Sequence, residues 1–175
     1  VFLDLKLHDI PNTMAKAMES LSTLPIGMLT LHAHAGEEAL KRCAQTGKDI
    51  LPETLLLAVT VLTSMDQDAL NSIGVQSPVI EQVERLARVA TQSEIGGIVC
   101  SPHELVHLRA CLPSKTKMVT PGIRPAGSAV GDQKRIMTPA EAKLAGADYL
   151  VIGRPILAAE NPANALDAIL EEMQS

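Results

Sequence analysis

Short apolar runs alternate with amphipathic segments along the chain, and this alternation limits the possible folds more than any other feature. The run at residues 54–62 is almost entirely apolar, which is typical of a strand buried on both faces. Strands are predicted at residues 1–7, 27–31, 54–62, 97–100, 117–120 and 149–152. Helices are predicted at residues 12–24, 36–45, 65–73, 78–93, 102–110, 138–145 and 162–173. Repeated strand–helix units predict a parallel α/β sheet that is covered by helices.

Two parallel architectures fit this order, a barrel and a doubly wound sheet. A complete (β/α)₈ barrel takes roughly 250 residues, about 30 for each strand–helix unit. The 175 residues would therefore hold six units, and the chain begins inside a strand and not at a Met. Charged residues recur at several strand ends, as they do around a barrel mouth. We therefore expect residues 1–175 to form one TIM (β/α)₈ barrel domain with its first two units missing from this chain, and the doubly wound sheet is the alternative.

The composition argues against several classes of partner. Only 1% of the residues are aromatic and the net charge is −5, so neither base stacking nor attraction to phosphate backbones favours nucleic acid. No apolar run reaches the 18 residues of a membrane span, and no signal peptide is visible, so a cytoplasmic protein is expected. The three cysteines have no metal-type spacing and are expected to be reduced and packed.

The first strand carries an unusual group of charges. Asp4 and Lys6 are two residues apart, so in a regular strand both side chains leave the same face, with Leu3, Leu5 and Leu7 on the apolar face. Asp9 follows just beyond the strand. Opposite charges beside an apolar core are costly unless they are paired and used, and the carboxyl ends of parallel strands are where such folds place catalytic residues. The alternative is a purely structural ion-pair network.

A second group of residues has the chemistry of a phosphate site. Arg124 lies in a long Gly-rich loop after the fifth strand, and Gly153 and Arg154 follow the sixth. A phosphate is bound well by guanidinium groups and by backbone N–H groups where a helix begins. Gln133 is the amide that could close over the anion from the loop. Solvated surface arginines are the alternative interpretation.

Other polar residues give weaker signals. Thr63 and Ser64 follow the third strand, where a hydroxyl could bind a substrate amide or carbonyl. His32 and His34 lie on one strand face, but no third ligand supports a metal site, and structural hydrogen bonding is the favoured interpretation. The histidines at positions 103 and 107 are expected on a solvated helix face, so no metal site is predicted.

Three segments resemble the orotidine 5′-phosphate decarboxylases. Residues 4–13, DLKLHDIPNT, are similar to that family's D-x-K-x-x-D-I-x-N-T signature. Residues 120–125, TPGIRP, resemble its phosphate loop, with Gln133 at the expected distance, and residues 151–156, VIGRPI, resemble its closing phosphate motif. The likeness covers essentially the whole chain. The D-x-K-x-x-D element alone also occurs in related sugar-phosphate decarboxylases and hexulose-phosphate synthases that use Mg²⁺.

The resemblance implies cofactor-free loss of CO₂ from orotidine 5′-monophosphate (OMP) to give UMP in de novo pyrimidine biosynthesis. Asp4 would lie beside the substrate carboxylate, and Lys6 would stabilise the developing carbanion and protonate C6. Asp9 and Thr13 would reach into the partner subunit's site of a homodimer. The resemblance further implies substrate contacts from Thr63, Arg124, Gln133, Gly153 and Arg154.

One departure from the family pattern leaves alternatives open. The family's charged group also includes a Lys on an earlier strand, and a ribose-binding Asp lies on its first strand. Neither has a counterpart in this chain, so a segment upstream of Val1 is expected to supply both. The alternatives are an Mg²⁺-dependent 3-keto-gulonate-6-phosphate-type decarboxylase and a non-catalytic barrel fragment that binds a phosphate ligand.

Overall fold

The computed structural model describes residues 1–125 and 136–174, and its strands form one parallel sheet. The strands are β1 (Phe2–Leu7), β2 (Met28–His32), β3 (Leu55–Val59), β4 (Gly97–Val99), β5 (Lys117–Thr120) and β6 (Tyr149–Leu150). They lie side by side in chain order from β1 to β6. A doubly wound sheet requires a reversal of strand order, which this sheet does not have. The predicted barrel-type order is confirmed, and the doubly wound alternative is wrong.

Helices follow the strands and cover one side of the sheet. They are α1 (Pro11–Ser20), α2 (Glu37–Ile50), α3 (Gln67–Ser72), α4 (Val79–Gln92), α5 (Leu105–Cys111), α6 (Pro139–Leu144), α7 (Arg154–Leu157) and α8 (Pro162–Glu172). Short 3₁₀ turns occupy Ala33–Ala35 and Pro102–Glu104. Among the described helices, none is long and apolar enough to cross a membrane.

Successive side chains of each strand leave opposite faces of the sheet, and the two faces have different neighbours. In β2, Leu29 and Leu31 are fully buried in the core that packs against the helices, and Thr30 lies between them. In β3, Ala58 belongs to the same helix-side core, whereas Val59 lines a cavity on the other side. Burial of each large aliphatic side chain stabilises the fold by about 1.5–3 kcal/mol. The predicted burial of β3 on both faces is confirmed.

The sheet is curved so that its two edges approach one cavity. Phe2 belongs to β1 at one edge, and Val151 directly follows β6 at the other edge. Both residues line the same cavity, together with residues of β3 and β4. A flat sheet of this width would hold its edges far apart. The described strands therefore form a half-barrel whose concave face surrounds the cavity.

Some predicted boundaries are wrong, and α2 shows why. The sequence predicts that this helix ends at Gln45. It continues to Ile50, since Gly47 is buried where α2 packs on β3. A Cβ at this glycine would lie 2.9 Å from Cδ1 of Leu56, so close packing and not helix termination explains the residue.

The start of α6 is as predicted. Thr138 Oγ1 accepts a hydrogen bond from the Glu141 backbone N–H, and Glu141 Oε2 accepts one from the Thr138 backbone N–H. Pro139 occupies the first helical position. The reciprocal bonds satisfy two helix-end donors, which is the reason this pattern was recognisable from sequence.

Candidate active site

The β1 strand is irregular where it carries its charged residues. Leu3 pairs with Leu29 of β2, but Leu7 pairs with Leu31, so four steps along β1 correspond to two along β2. Lys6 lies inside this bulge and has a φ of 52°, in the left-handed region that L-residues rarely adopt. The side chain of Leu5 is 49% exposed, so its predicted place on a buried apolar face is wrong. The extra residues break the two-residue alternation on which that prediction depended.

Asp4 and Lys6 form an ion pair within the bulge. Lys6 Nζ donates to Asp4 Oδ2 at 2.5 Å, and both side chains are partly exposed. Asp4 Oδ1 accepts a second hydrogen bond, 2.8 Å long, from Thr30 Oγ1. The carboxylate therefore has a partner on each oxygen, and the ammonium group is directed toward the open side of the sheet.

A cavity of about 210 Å³ opens beside this pair at the carboxyl ends of the strands. Its wall combines the two charged residues with mostly apolar groups: Phe2, Asp4, Lys6, Val59, Val61, Leu62, Thr63, Val99, Cys100, Pro121 and Val151. Opposite charges in an apolar concave site are a common feature of enzyme active sites. Sequence reasoning identified Asp4, Lys6 and Thr63 but not the apolar wall, whose residues lie in the strands or shortly after them.

Asp9 and Thr13 lie elsewhere. Both side chains are exposed. Neither residue is among the described residues that line the Asp4–Lys6 cavity. Asp9 Oδ1 accepts a hydrogen bond of 2.7 Å from the Ile10 backbone N–H. Within one chain, Asp9 and Thr13 are therefore not part of the site around Lys6.

The predicted phosphate residues are only partly described. Arg124 is buried, and its Nη1 donates to the backbone oxygen of Ile123 at 2.8 Å. Gly153 and Arg154 are exposed, and Arg154 is the first residue of the short α7 helix. Gln133 lies outside the described residues. None of these residues is among the described lining of the Asp4–Lys6 cavity, which leaves the phosphate site a prediction.

Three histidines surround the end of β2. The ring centroids of His8 and His32 are 5.4 Å apart. Burial, followed by the nearby His8, lowers the pKa of His32, and the same two causes lower the pKa of His34. In the part of the chain that is described, neither His32 nor His34 belongs to a group of three metal-ligating side chains whose ligand atoms lie within 4.8 Å of one another.

Such a group does occur on the outer helices, where it is an ion-pair network. Glu84 accepts one hydrogen bond of 2.7 Å from Arg88 and shares one of 2.6 Å with His107, and Cys111 lies beside them. Both carboxylate oxygens thus have a partner already. In the described part of the chain, the cysteines at positions 43, 100 and 111 form no disulfide bond, and burial raises the pKa of Cys43 to about 11.

Comparison with known proteins identifies relatives along the whole chain. The model of the Orotidine 5'-phosphate decarboxylase / HUMPS family matches residues 1–169. An orotidine 5'-phosphate decarboxylase from Opitutus terrae is 54% identical over 175 residues, which are 100% of this chain and 76% of the relative. One from Saccharophagus degradans is 47% identical over 99% of this chain and 73% of its own length.

A solved structure supports the same relationship. The crystal structure of orotidine 5'-phosphate decarboxylase from Lactobacillus acidophilus matches with a TM-score of 0.84 and 37% identity. The match covers 99% of this chain and 75% of that one. The chain thus spans about three quarters of the length of these relatives.

Proposed function

The chain belongs to the Orotidine 5'-phosphate decarboxylase / HUMPS family, and from this premise we propose that it converts OMP to UMP and CO₂ with Lys6 as the proton donor. The relatives are named orotidine 5'-phosphate decarboxylases, and an enzyme that removes CO₂ in this way is a carboxy-lyase. The observation that carries the assignment of roles is the Asp4–Lys6 ion pair in the wall of a mostly apolar cavity. We further propose that residues 1–175 belong to one barrel domain that acts in the cytoplasm, where the pyrimidine pathway implied by the family operates.

The chemical difficulty is a carbanion at C6 of the pyrimidine. The bond between C6 and the carboxylate breaks, its electron pair stays on C6, and a proton must replace the lost CO₂. Lys6 carries an ammonium group at the cavity wall, where positive charge stabilises that electron pair more strongly than it stabilises neutral C6. The same group then transfers a proton to C6. Charge stabilisation and proton transfer thus come from one side chain.

Asp4 has two roles in this proposal. Its carboxylate holds Lys6 Nζ at 2.5 Å and so orients the proton donor. It also lies on the cavity wall, where the substrate carboxylate would meet a like charge that is relieved as neutral CO₂ leaves. Its other oxygen, Oδ1, is held in place by the hydrogen bond from Thr30 Oγ1.

The phosphate of OMP is proposed to bind outside this cavity. A volume of about 210 Å³ is below the range of about 300–1,000 Å³ that is usual for drug-sized ligands, so the cavity suits the pyrimidine ring better than the whole nucleotide. Thr63 would contact the ring. Arg124, Gln133, Gly153 and Arg154 would hold the phosphate, and binding energy from this remote group would position C6 beside Lys6.

We also propose a homodimer in which Asp9 and Thr13 contact the partner's bound nucleotide. Both side chains are exposed and lie outside the Asp4–Lys6 cavity of their own chain. Ile10 beside them is 66% exposed, and an exposed large aliphatic group next to functional polar residues suits a subunit interface.

The direct test measures CO₂ release and UMP formation from OMP. The wild-type protein, produced from its whole gene, is expected to be active, and Lys6→Met in the same protein is expected to lose nearly all turnover while it still binds UMP. Lys16→Met, on the exposed face of α1, is the control and should retain activity. An inactive wild-type protein, or an active Lys6→Met variant, would refute the proposal.

Treatment with EDTA separates this proposal from the Mg²⁺-dependent decarboxylases and synthases that share the D-x-K-x-x-D element. Turnover of OMP should be unchanged by the chelator, because each proposed step uses protein side chains. Loss of activity that added Mg²⁺ restores would favour the metal-dependent alternative.

A further inference from the structure

Thr30 is a fully buried polar residue in the centre of β2. Its neighbours Leu29 and Leu31 pack in the helix-side core, whereas Thr30 faces β1 across the sheet. Its hydroxyl makes two hydrogen bonds to the irregular part of β1. Oγ1 donates to Asp4 Oδ1 at 2.8 Å and accepts from the Lys6 backbone N–H at 2.9 Å.

The second of these bonds replaces one that the sheet cannot make. In a regular parallel pair, the N–H groups of one strand donate to backbone oxygens of the next. The register shift between Leu3 and Leu7 removes that regular partner from the bulged residues of β1. The hydroxyl of Thr30 accepts the Lys6 N–H instead, so a side chain takes over the role of the backbone.

The three residues form a closed ring of interactions. The Lys6 backbone donates to Thr30, Thr30 donates to Asp4, and Asp4 accepts from Lys6 Nζ. A hydroxyl has only one proton, so donation to Asp4 leaves its lone pairs to accept the Lys6 N–H. The Thr30 hydroxyl that links two of these bonds is fully buried, and linked hydrogen bonds strengthen one another away from water. The ring also holds the left-handed φ of 52° at Lys6, a conformation that is maintained only where its surroundings enforce it.

We infer that Thr30 is a positioning residue for decarboxylation, which fixes the Asp4 carboxylate and the Lys6 backbone so that Lys6 Nζ points into the cavity. Thr30 need not touch the substrate and is not among the described residues that line the cavity. The inference rests on the proposed function, because the reaction assigned to Lys6 is what makes its position matter. It predicts an effect on turnover and not on nucleotide affinity.

The test compares variants of Thr30 in the intact protein. Thr30→Val keeps the shape of the side chain and removes its hydroxyl, and kcat for OMP is expected to fall about 10- to 100-fold, because a charge-assisted hydrogen bond is lost. The dissociation constant for UMP should stay within about threefold of wild type, since no phosphate or ring contact changes. Thr30→Ser keeps the hydroxyl and should restore kcat to within about threefold.

The matched control is Thr54→Val. Thr54 Oγ1 donates to the Ile26 backbone oxygen at 2.7 Å, at the opposite end of the sheet from the cavity. This variant also loses one hydroxyl hydrogen bond near a strand and should keep its kcat. A similar fall of kcat in Thr30→Val and Thr54→Val would show a general loss of stability and would overturn the inference.

A second measurement does not depend on activity. Hydrogen exchange of the Lys6 backbone amide, followed by NMR, should be slow in wild type and Thr30→Ser and clearly faster in Thr30→Val. If wild type does not decarboxylate OMP, the proposed function fails, and this exchange still decides whether Thr30 holds Lys6. If wild type is active and Thr30→Val retains both its kcat and its slow exchange, only the role of Thr30 is refuted.

If Thr30→Val folds poorly, a pair of variants with smaller side chains tests the same inference. Thr30→Ser and Thr30→Cys both lack the methyl group and differ only in oxygen against sulfur, a much weaker hydrogen-bonding atom. The Cys variant is expected to have a kcat about tenfold below that of the Ser variant. Equal kcat values in this pair would overturn the inference.

Discussion

Replacement of Lys6 by Gly should give a more stable protein than replacement by Ala, although neither variant should turn over substrate. Lys6 has a φ of 52°, in the left-handed region. That conformation costs an L-residue such as Ala about 1–2 kcal/mol, whereas Gly adopts it freely. The larger backbone entropy of Gly in the unfolded chain offsets about 0.5–1 kcal/mol of this difference. We therefore expect the free energy of unfolding of Lys6→Gly to exceed that of Lys6→Ala by about 0.5–1 kcal/mol.

A matched pair of variants in a regular helix should show the opposite order of stability. Lys41 lies within α2, and its side chain is 59% exposed and paired with Glu37. Both Lys41→Gly and Lys41→Ala lose that ion pair, so the difference between their free energies of unfolding reflects the backbone alone. There Ala should be more stable than Gly by about 1 kcal/mol.

Urea and thermal unfolding measure all four variants. A difference of 1 kcal/mol corresponds to about 2–4 °C in Tm for a domain of this size. If Lys6→Ala is as stable as Lys6→Gly while the Lys41 pair behaves as expected, Lys6 does not have a left-handed backbone and the reasoning from the bulge is wrong.

The same two Lys6 variants also test the chemistry. Loss of a general acid costs about 10²–10⁴-fold in rate, and loss of a charge that stabilises the transition state costs about 10²–10³-fold. Turnover should therefore fall by at least about 10⁴-fold in both variants, measured as UMP formation. Near-normal turnover in the more stable Gly variant would exclude Lys6 as the proton donor.

Further predictions concern the phosphate site, the dimer and pH. Arg154→Ala should lower kcat/KM for OMP about 10- to 100-fold but leave activity on the nucleoside without a phosphate unchanged; an equal effect on both substrates would place Arg154 elsewhere. Mixing inactive Lys6→Ala and Asp9→Ala chains should restore activity through hybrid dimers, and failure to do so would indicate that Asp9 acts within its own subunit. Burial and the nearby His8 lower the pKa of His32 below 6.5, so the unfolded chain takes up a proton at higher pH than the folded one. The contribution of His32 to stability should be complete above pH 6.5 and decrease as the pH falls below it. Tm measured across this range should therefore fall less steeply in His32→Gln, and an equal slope would contradict the assignment.

The order of the strands and the family membership could both be predicted from short segments of the sequence. Each strand is a short apolar run next to a helix, and a strand–helix–strand unit places consecutive parallel strands side by side. Asp4 and Lys6 could be paired from their spacing alone, and the capping of α6 from Thr138 and Glu141. Helix α2 was predicted too short, because the close packing of Gly47 against β3 depends on a residue far along the chain.

What only the tertiary structure decided is the detailed geometry around Lys6. Pattern reasoning assumes a regular pleat, and the bulge in β1 breaks it, so Leu5 is exposed and Lys6 takes a left-handed backbone. The partner that holds this geometry, Thr30, lies 24 residues from Lys6 in the chain and 26 from Asp4. Local propensities carry no information about a hydrogen bond between two strands whose register is shifted, because that register depends on how the whole sheet packs. The charged residues of the site could thus be identified from the sequence, whereas the orientation of their side chains depends on contacts between distant segments.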